Sequence, residues 1–504
     1  MNLVLIDVMR VQTYIFSPPR LREQVVGSYL IEAVLDPDLL CSLADGAELV
    51  YSGGGTAALL MHDESEVRAF SLRYRRRVME MAPGLEVEVI GQAFEETDAF
   101  GEVLAEAQEN LARAKAAHLP MEPVLAPAVV ATDSVTGEPA TAFEEVERDQ
   151  GPVLLSAQRW RRCAEALHDA ADRRFYDLAF PAGKHPRLPD TLDEMVEQNR
   201  LDRAFMAVVH IDGSEMGRRI HAALEGKNRW VDARDAWKQV SAETQDVGTA
   251  AVRAVTEALR ASSEEAVLRL RFLVFGGDDL TFVCRGDQAL QLVTGALTTF
   301  HQAGVTASAG VAFVKTHYPM VHAYRAAEQL CRLGKRALRE ADLAREASAL
   351  DWMVLSGGLV DDIEALRERQ LRRQDGSSPF LLTGRPYIVP ALSSLSGDPQ
   401  WSVVESIVRC LQQGTWVHHR TRLKGLPRLV AQGPRAFSTE IERWKKMHLG
   451  DEELPGPTDA ARKGFLPLES HSGLRYRQGC RAYSPYPDAI ELMDLAVFAP
   501  PASK

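Results

Sequence analysis

The 504-residue chain is poor in cysteine. It has six, Cys41, Cys163, Cys284, Cys331, Cys410 and Cys480, and no two form a Cys-x-x-Cys pair. This argues against a zinc ribbon and against a disulfide framework, and leaves reduced thiols in packed positions as the expectation. No apolar run approaches the roughly 18 residues of a membrane-spanning helix, so no membrane partner is expected. No basic stretch precedes the first apolar run and no cleavage-like site follows it, which predicts a cytoplasmic protein. Positive charge is outweighed by negative. With 58 Lys and Arg against 70 Asp and Glu the formal net charge is −12, which works against tight, non-specific binding of naked nucleic acid. What is present, 46% hydrophobic and 25% charged residues, is the composition of a globular protein long enough for three or four domains.

The most informative stretch is 271–284, where Gly276, Gly277, Asp278 and Asp279 lie between two strand-like runs. The glycines supply a tight turn and leave no side chain in the way of a polyphosphate, while Asp278 and Asp279 offer the hard oxygen ligands that Mg2+ or Mn2+ prefers. An ordinary Gly-Asp hairpin turn fits this stretch equally well. A third carboxylate favours the metal-bearing reading. Residues 204–212 form an apolar strand ending in Asp212, followed by Gly213 and a helical pattern. An acid at the end of a central strand, beside a hairpin with two more, is the arrangement that two-metal phosphoryl transfer requires. Residues 304–314 read as a further strand and 318–339 as a helix bearing Lys335, giving the order strand, helix, hairpin, strand, helix.

The set 211–217 (Ile-Asp-Gly-Ser-Glu-Met-Gly), Gly276-Gly277-Asp278-Asp279, 307–310 (Ala-Ser-Ala-Gly), 317–319 (His-Tyr-Pro), 327–330 (Ala-Glu-Gln-Leu) and Lys335 resembles the large polymerase-like subunit of type III CRISPR effector complexes. More distantly it resembles the diguanylate cyclases. The resemblance implies a metal-dependent nucleotidyltransferase that joins ATP into cyclic oligoadenylates, with two divalent cations held by Asp212, Asp278 and Asp279. Gly213, Gly276 and Gly277 would lie along the nucleotide, Lys335 at a phosphate and Ser308 near the adenine. A cyclase making a smaller ring, and a non-catalytic nucleotide-binding scaffold, stay open beside it.

The element order occurs twice. Residues 3–9 form a strand carrying Asp7, with 11–16 expected to continue it. A helical pattern at 21–34 follows, then a hairpin at 48–61 with Gly53, Gly54, Gly55 and Thr56 where the later copy has its acids, a strand at 85–91 and a helix at 98–118. This predicts an α+β protein with two ferredoxin-like palm domains. The first (1–118) is degenerate and the second (201–350) catalytic, joined by a helical connector (119–200) and followed by a mainly helical carboxyl-terminal domain (351–504). The resemblance implies a second ATP at Gly53, Gly54 and Gly55, although a structural remnant fits those glycines too. Lys115 is one residue out of step with Lys335 and receives no role. Relatives often carry a cysteine-rich zinc site in the connector; the matching stretch 131–140 has no cysteine, so no zinc is expected. The His62-Asp63 and His168-Asp169 dipeptides lie inside helical patterns and give no support to a nuclease, and an amino-terminal histidine-aspartate nuclease domain is expected to be missing. The basic run 418–428, with Arg420, Arg422, Lys424 and Arg428, reads either as a solvated helix face or as a contact with guide RNA or a neighbouring CRISPR-type subunit.

Overall fold

The computed structural model describes residues 1–118, 129–144, 152–180, 185–196, 205–227, 229–262, 267–358, 360, 362–375, 378–390, 399–447, 454–467 and 482–496. The extended run 120–127, the start of the proline-rich loop at 181–189 and most of the segment 449–484 lie outside the described residues.

The first unit runs β1 (Asn2–Met9), α1 (Val11–Phe16), α2 (Leu21–Ala33), α3 (Pro37–Leu43), β2 (Glu48–Gly53), β3 (Thr56–Met61), α4 (Glu64–Met81), β4 (Glu86–Ala93) and α5 (Phe100–Ala117). Its four strands pair in the order β2-β3-β1-β4, all antiparallel, which is the ferredoxin-like arrangement. Residues 11–16, expected to extend β1, instead form α1. Arg10 adopts a left-handed conformation (φ 52°) that ends the strand and turns the chain into the helix.

The connector contains β5 (Ala142–Glu144), β6 (Val153–Leu155), α6 (Ala157–Arg162) and α7 (Glu165–Ala179). The cysteine-free stretch folds into a small ribbon whose bridge pairs Thr132 with Pro139. Asp133, fully buried, accepts from the amides of Val135 and Ser156 and pairs with Arg159, which forks onto Glu23 of α2 at 2.7 and 2.8 Å. A buried, hydrogen-bonded ion network therefore ties the connector to the first palm.

The second unit runs β7 (Met206–Gly213), α8 (Met216–Leu224), α9 (Trp230–Ser262), β8 (Leu270–Gly276), β9 (Asp279–Arg285), α10 (Ala289–Gln302), β10 (Ala307–Val314) and α11 (Met320–Glu340). The strand order β10-β7-β9-β8 repeats that of the first sheet. Two strands widen it, β11 (Ser348–Leu355), parallel to β10, and then β14 (Tyr387–Val389). A boundary at residue 350 thus falls inside β11. The carboxyl-terminal region is built onto the palm sheet, and the buried Trp352 of β11 packs on Tyr387 and Trp401. Beyond come α12 (Ile363–Leu371), a small sheet of β12 (Arg372–Asp375), β13 (Ser378–Leu381), β15 (Leu466–Pro467) and β16 (Ala482–Tyr483), and the helices α13 (Trp401–Leu411), α14 (Arg420–Leu423), α15 (Leu426–Ala431), α16 (Pro434–Lys446), α17 (Asp459–Arg462) and α18 (Tyr486–Met493).

One core is shared by both palms. Val4, Ile6 and Val8 of β1 belong to the same apolar cluster as Met206 and Val208 of β7, Ala312 and Val314 of β10, and Ala323, Ala327 and Leu330 of α11. Helix α9, 33 residues and about 50 Å long, spans the two units. Its Trp237 packs with Leu3, Leu5 and Phe100 of the first palm, and its Ala251, Val252 and Val255 pack under the second sheet. No helix among the described residues is long and apolar enough to cross a membrane.

Candidate functional site

β7 is buried from Met206 to Ile211 and opens at Asp212. In register, Asp212 faces Asp279 on β9 and Ser308 on β10. Because residues opposite one another share a face of the sheet, Asp212, Asp279 and Ser308 form a row under α11. Asp278 is set beside them by the turn. The Gly213 amide donates to the Asp278 carbonyl at 3.1 Å, and a Cβ on Gly213 would stand 2.6 Å from the Asp278 side chain. Gly213 is glycine for this reason. Lys335 reaches across from α11 to Asp212 Oδ2 at 2.5 Å and to the Gly213 carbonyl at 2.6 Å. Helix α11 comes this close because Gly310 and Gly334 leave room. A Cβ on Gly310 would meet the Ala327 carbonyl at 1.9 Å.

Three carboxylates against one lysine make a site short of positive charge. Burial, then Asp212, pushes the Asp278 carboxyl up to about 6, with Lys335 and Arg219 opposing. Burial, then Asp212 and Asp278, raises Asp279 well above the usual carboxylate range. Asp279 Oδ1 is buried and accepts no hydrogen bond among the described residues. The donor set, three carboxylates and the carbonyl of Gly213, is one that hard divalent cations favour.

The first palm presents the same frame with different side chains. Asp7 pairs with Thr56 as Asp212 pairs with Asp279. The Val8 amide donates to the Gly55 carbonyl at 2.8 Å, as Gly213 does to Asp278. Lys115 of α5 binds Asp7 at 2.9 Å, as Lys335 binds Asp212. The one-residue mismatch in sequence is absorbed by the helix, so Lys115 does echo Lys335. Arg10 and Glu215, each three residues past its aspartate, are both left-handed.

The two hairpin turns touch. A Cβ on Gly276 would lie 3.1 Å from the backbone of Gly54. Gly54 (φ 59°) and Gly277 (φ 65°) occupy the left-handed region that only glycine adopts freely. Helix α9 locks both turns. Gln245 donates to the Ser52 carbonyl at 3.0 Å, and a Cβ on Gly248 would sit 1.9 Å from the Gly277 carbonyl. A cavity of about 550 Å³ opens here, lined among others by Gly53, Gly54, Gly55, Gly276, Gly277 and Gln245.

Asp212, Asp278, Asp279, Gly213, Gly276, Gly277 and Lys335 are thus brought together, with Gly53, Gly54 and Gly55 against them. Ser308 differs from expectation. Its side chain is fully buried against Gly334 of α11, and its hydroxyl has no hydrogen-bond partner among the described residues. The strand register that aligns Ser308 with Asp212 also covers it with α11, away from the open cleft. His62 and Asp63 are exposed, with Asp63 capping α4 through the Ser65 amide, and His168 is buried against Arg271 and Asp190. Arg420 and Lys424 of the basic run both pair with Asp494, just beyond α18, so these cations are half spent within the chain.

Two residues without a role in the sequence reading stand beside Asp212. His210, two positions earlier on the same strand face, is 5% exposed, and burial lowers its pKa to about 4, so the ring is neutral. Cys331, on α11, is buried with its thiol donating to the Ser308 carbonyl at 3.1 Å. A polar residue in an otherwise apolar strand was the signal for His210. Cys331 lies on the buried face of its helix, in keeping with a reduced thiol in a packed position.

Residues 205–342 match the family described as Cas10/Cmr2, second palm domain. No curated protein matches the chain. Among solved structures, a Csm1-Csm4 cassette in complex with cA3 aligns with 99% of this chain and 70% of its own, with a TM-score of 0.56 at 13% identity. The cassette in complex with pppApApA aligns with 98% and 69%, with a TM-score of 0.57 at 12% identity. A Csm1-Csm4 subcomplex of the type III-A CRISPR-Csm interference complex aligns with 98% and 70%, with a TM-score of 0.54 at 12% identity. The chain therefore carries a Cas10/Cmr2-type second palm within an α+β fold of paired ferredoxin-like palms, and resembles the large palm-domain subunit of type III CRISPR effector complexes.

Proposed function

We propose that this protein is a metal-dependent nucleotidyltransferase that joins ATP into cyclic oligoadenylate-type messengers, as part of a cytoplasmic CRISPR-type antiviral system. The observation that carries the reading is the convergence of Asp212, Asp278 and Asp279 where the glycine turns of two palms meet. Relatives of the same fold have been solved with cA3, with cA4 and with AMPPNP, which supports adenine nucleotides as the substrate class.

The residues present fit two divalent cations. Asp212, Asp278 and Asp279 would hold them, with the Gly213 carbonyl as a further oxygen ligand. When bound, Mg2+ or Mn2+ supplies acidification of a ribose hydroxyl and neutralisation of the triphosphate as pyrophosphate leaves. The chain's own residues do the positioning. The Asp278 and Asp279 carboxylates, costly to keep ionised without a cation, concentrate positive charge at one point of the cleft. Lys335 adds a fixed ammonium at the same mouth, suited to a phosphate oxygen. Gly276 and Gly277 let the backbone approach a polyphosphate. The first palm, with Gly55 and Thr56 in place of the acids, holds a second nucleotide without doing chemistry on it. Type III partner subunits and guide RNA would dock on the carboxyl-terminal helices.

The test is incubation of the purified chain, alone and with its type III partner subunits, with each nucleoside triphosphate and Mg2+ or Mn2+, followed by mass spectrometry of the products. Cyclic adenylates from ATP that vanish in the Asp278→Ala, Asp279→Ala double variant are expected. Undiminished product from that variant would remove the metal-site assignment.

A further inference from the structure

The side chains of His210, Asp212 and Cys331 each place a potential ligand atom within 4.8 Å of the others. The set combines imidazole, carboxylate and thiol, which is the preference of Zn2+ and its neighbours and not of Mg2+. The sequence arranges this simply. His210 and Asp212 are alternate residues on one face of β7, and α11 lays Cys331 across that face through the close approach that Gly310 permits. Around a tetrahedral zinc, bond lengths of 2.0–2.3 Å put ligand atoms roughly 3.5 Å apart, so closure takes side-chain movements on the order of 1 Å.

The surroundings support a ligand role for each group. His210 Nδ1 lies 3.0 Å from Thr281 Oγ1 and 3.4 Å from Asp279 Oδ1. This is the support a metal-bound imidazole ordinarily has on its second nitrogen, and it leaves Nε2 without a hydrogen bond among the described residues. Neutral histidine, carboxylate and thiolate sum to a charge of −2, matching a divalent ion. Asp212, with 40% of its side chain exposed, gives the ion a way in. Water remains for the fourth position.

We propose that His210, Asp212 and Cys331 form a soft-metal site that binds one Zn2+ per chain, and that it draws the Asp212 carboxylate away from the hard-cation site it borders. Zn2+ displaces the thiol proton of Cys331 and breaks the contact between Lys335 and Asp212. The binding stands on the ligand geometry alone, and the competition rests on the nucleotidyltransferase reading above. The proposal departs from the expectation of a zinc-free protein, which was drawn from the missing cysteine pairs of the connector, a different place in the fold.

The experiment is a Co2+ and Zn2+ titration of the full chain, read by isothermal titration calorimetry and by the thiolate-to-cobalt absorption band. One equivalent of metal with that band is expected. Affinity in Cys331→Ala and in His210→Asn should fall by more than the roughly 10–100-fold that loss of a supporting partner costs, with circular dichroism confirming the fold. Absence of the band in the wild-type chain, or unchanged affinity in both folded variants, overturns the site. A second arm measures ATP turnover in Mg2+ with added Zn2+, where wild type should be inhibited at zinc levels that spare Cys331→Ala. Equal inhibition of the two overturns the sharing of Asp212, while a chain with no turnover under any condition bears on the catalytic reading and leaves the titration to decide the site.

Discussion

Around the strand aspartate the two palms use one backbone frame and fill it with different side chains, and the differences are coupled. Where the second palm has Gly213 beside Asp278, the first has Val8 beside Gly55, with the same amide-to-carbonyl bond between them. The space for one side chain exists at this junction, and each palm fills it from the opposite strand. A carboxylate at the turn therefore demands glycine after the strand aspartate. The Asp-Lys pair is common to both, so it belongs to the frame, whereas Asp278 and Asp279 belong to the second palm alone.

The largest expected effect comes from erasing that distinction. Replacing Asp278 by Gly and Asp279 by Thr copies the first palm onto the second. Cyclic product should fall by well over the 10–100-fold typical of losing a metal's supporting partner, as read by mass spectrometry, with the fold intact by circular dichroism.

Next is the coupling itself. Gly213→Val alone places atoms against the Asp278 side chain and should cost about 1–3 kcal/mol of stability by overpacking, together with most of the activity. Adding Asp278→Gly should recover thermal stability and leave activity lost. If the double variant melts no higher than Gly213→Val, the two junctions are not equivalent.

The shared lysines sharpen the comparison further. Lys335→Met should lower turnover by about 10–100-fold, since it leaves three carboxylates without their cation. Lys115→Met, beside the single Asp7, should lower it only a few-fold. Equal losses would mean that both palms take part in the chemistry.

A smaller effect is expected from pH. Asp278 has its folded pKa raised to about 6 from an ordinary carboxylate value, so the metal-free protein binds a proton there more tightly when folded. The stability this represents is present at low pH and is lost as pH rises through about 6. Asp278→Asn removes the charged form, so above pH 6 it should melt at a higher temperature than wild type, with the gap closing as pH falls below 6. A gap that widens on acidification would contradict the raised pKa. No such pH-dependent difference is expected for Gly55→Asn, which replaces no acid.

Much of this protein was legible from sequence because its signals are local. Alternating apolar residues gave the strands, the two glycine-rich turns gave the hairpins, and the repeat of their order gave two palms. Asp212, Asp278 and Asp279 could be singled out because each sits at a strand end or turn, where a carboxylate has no packing purpose. Contacts between distant segments were not legible. The pairing of Lys115 with Asp7 depends on helix geometry that tolerates a one-residue offset. The burial of Ser308 depends on where α11 lies, and the sharing of Asp494 by Arg420 and Lys424 depends on a contact some 70 residues away in the chain. Residues 11–16 became a helix because Arg10 turns the backbone, which apolar periodicity over six residues does not encode. The sequence by itself determined the strands, the turns and the identity of the acids, since these follow from side-chain pattern and backbone freedom. Only the tertiary structure decided that the two turns touch, that α9 locks them, and that His210 and Cys331 stand beside Asp212, because those facts come from packing between segments far apart in the chain.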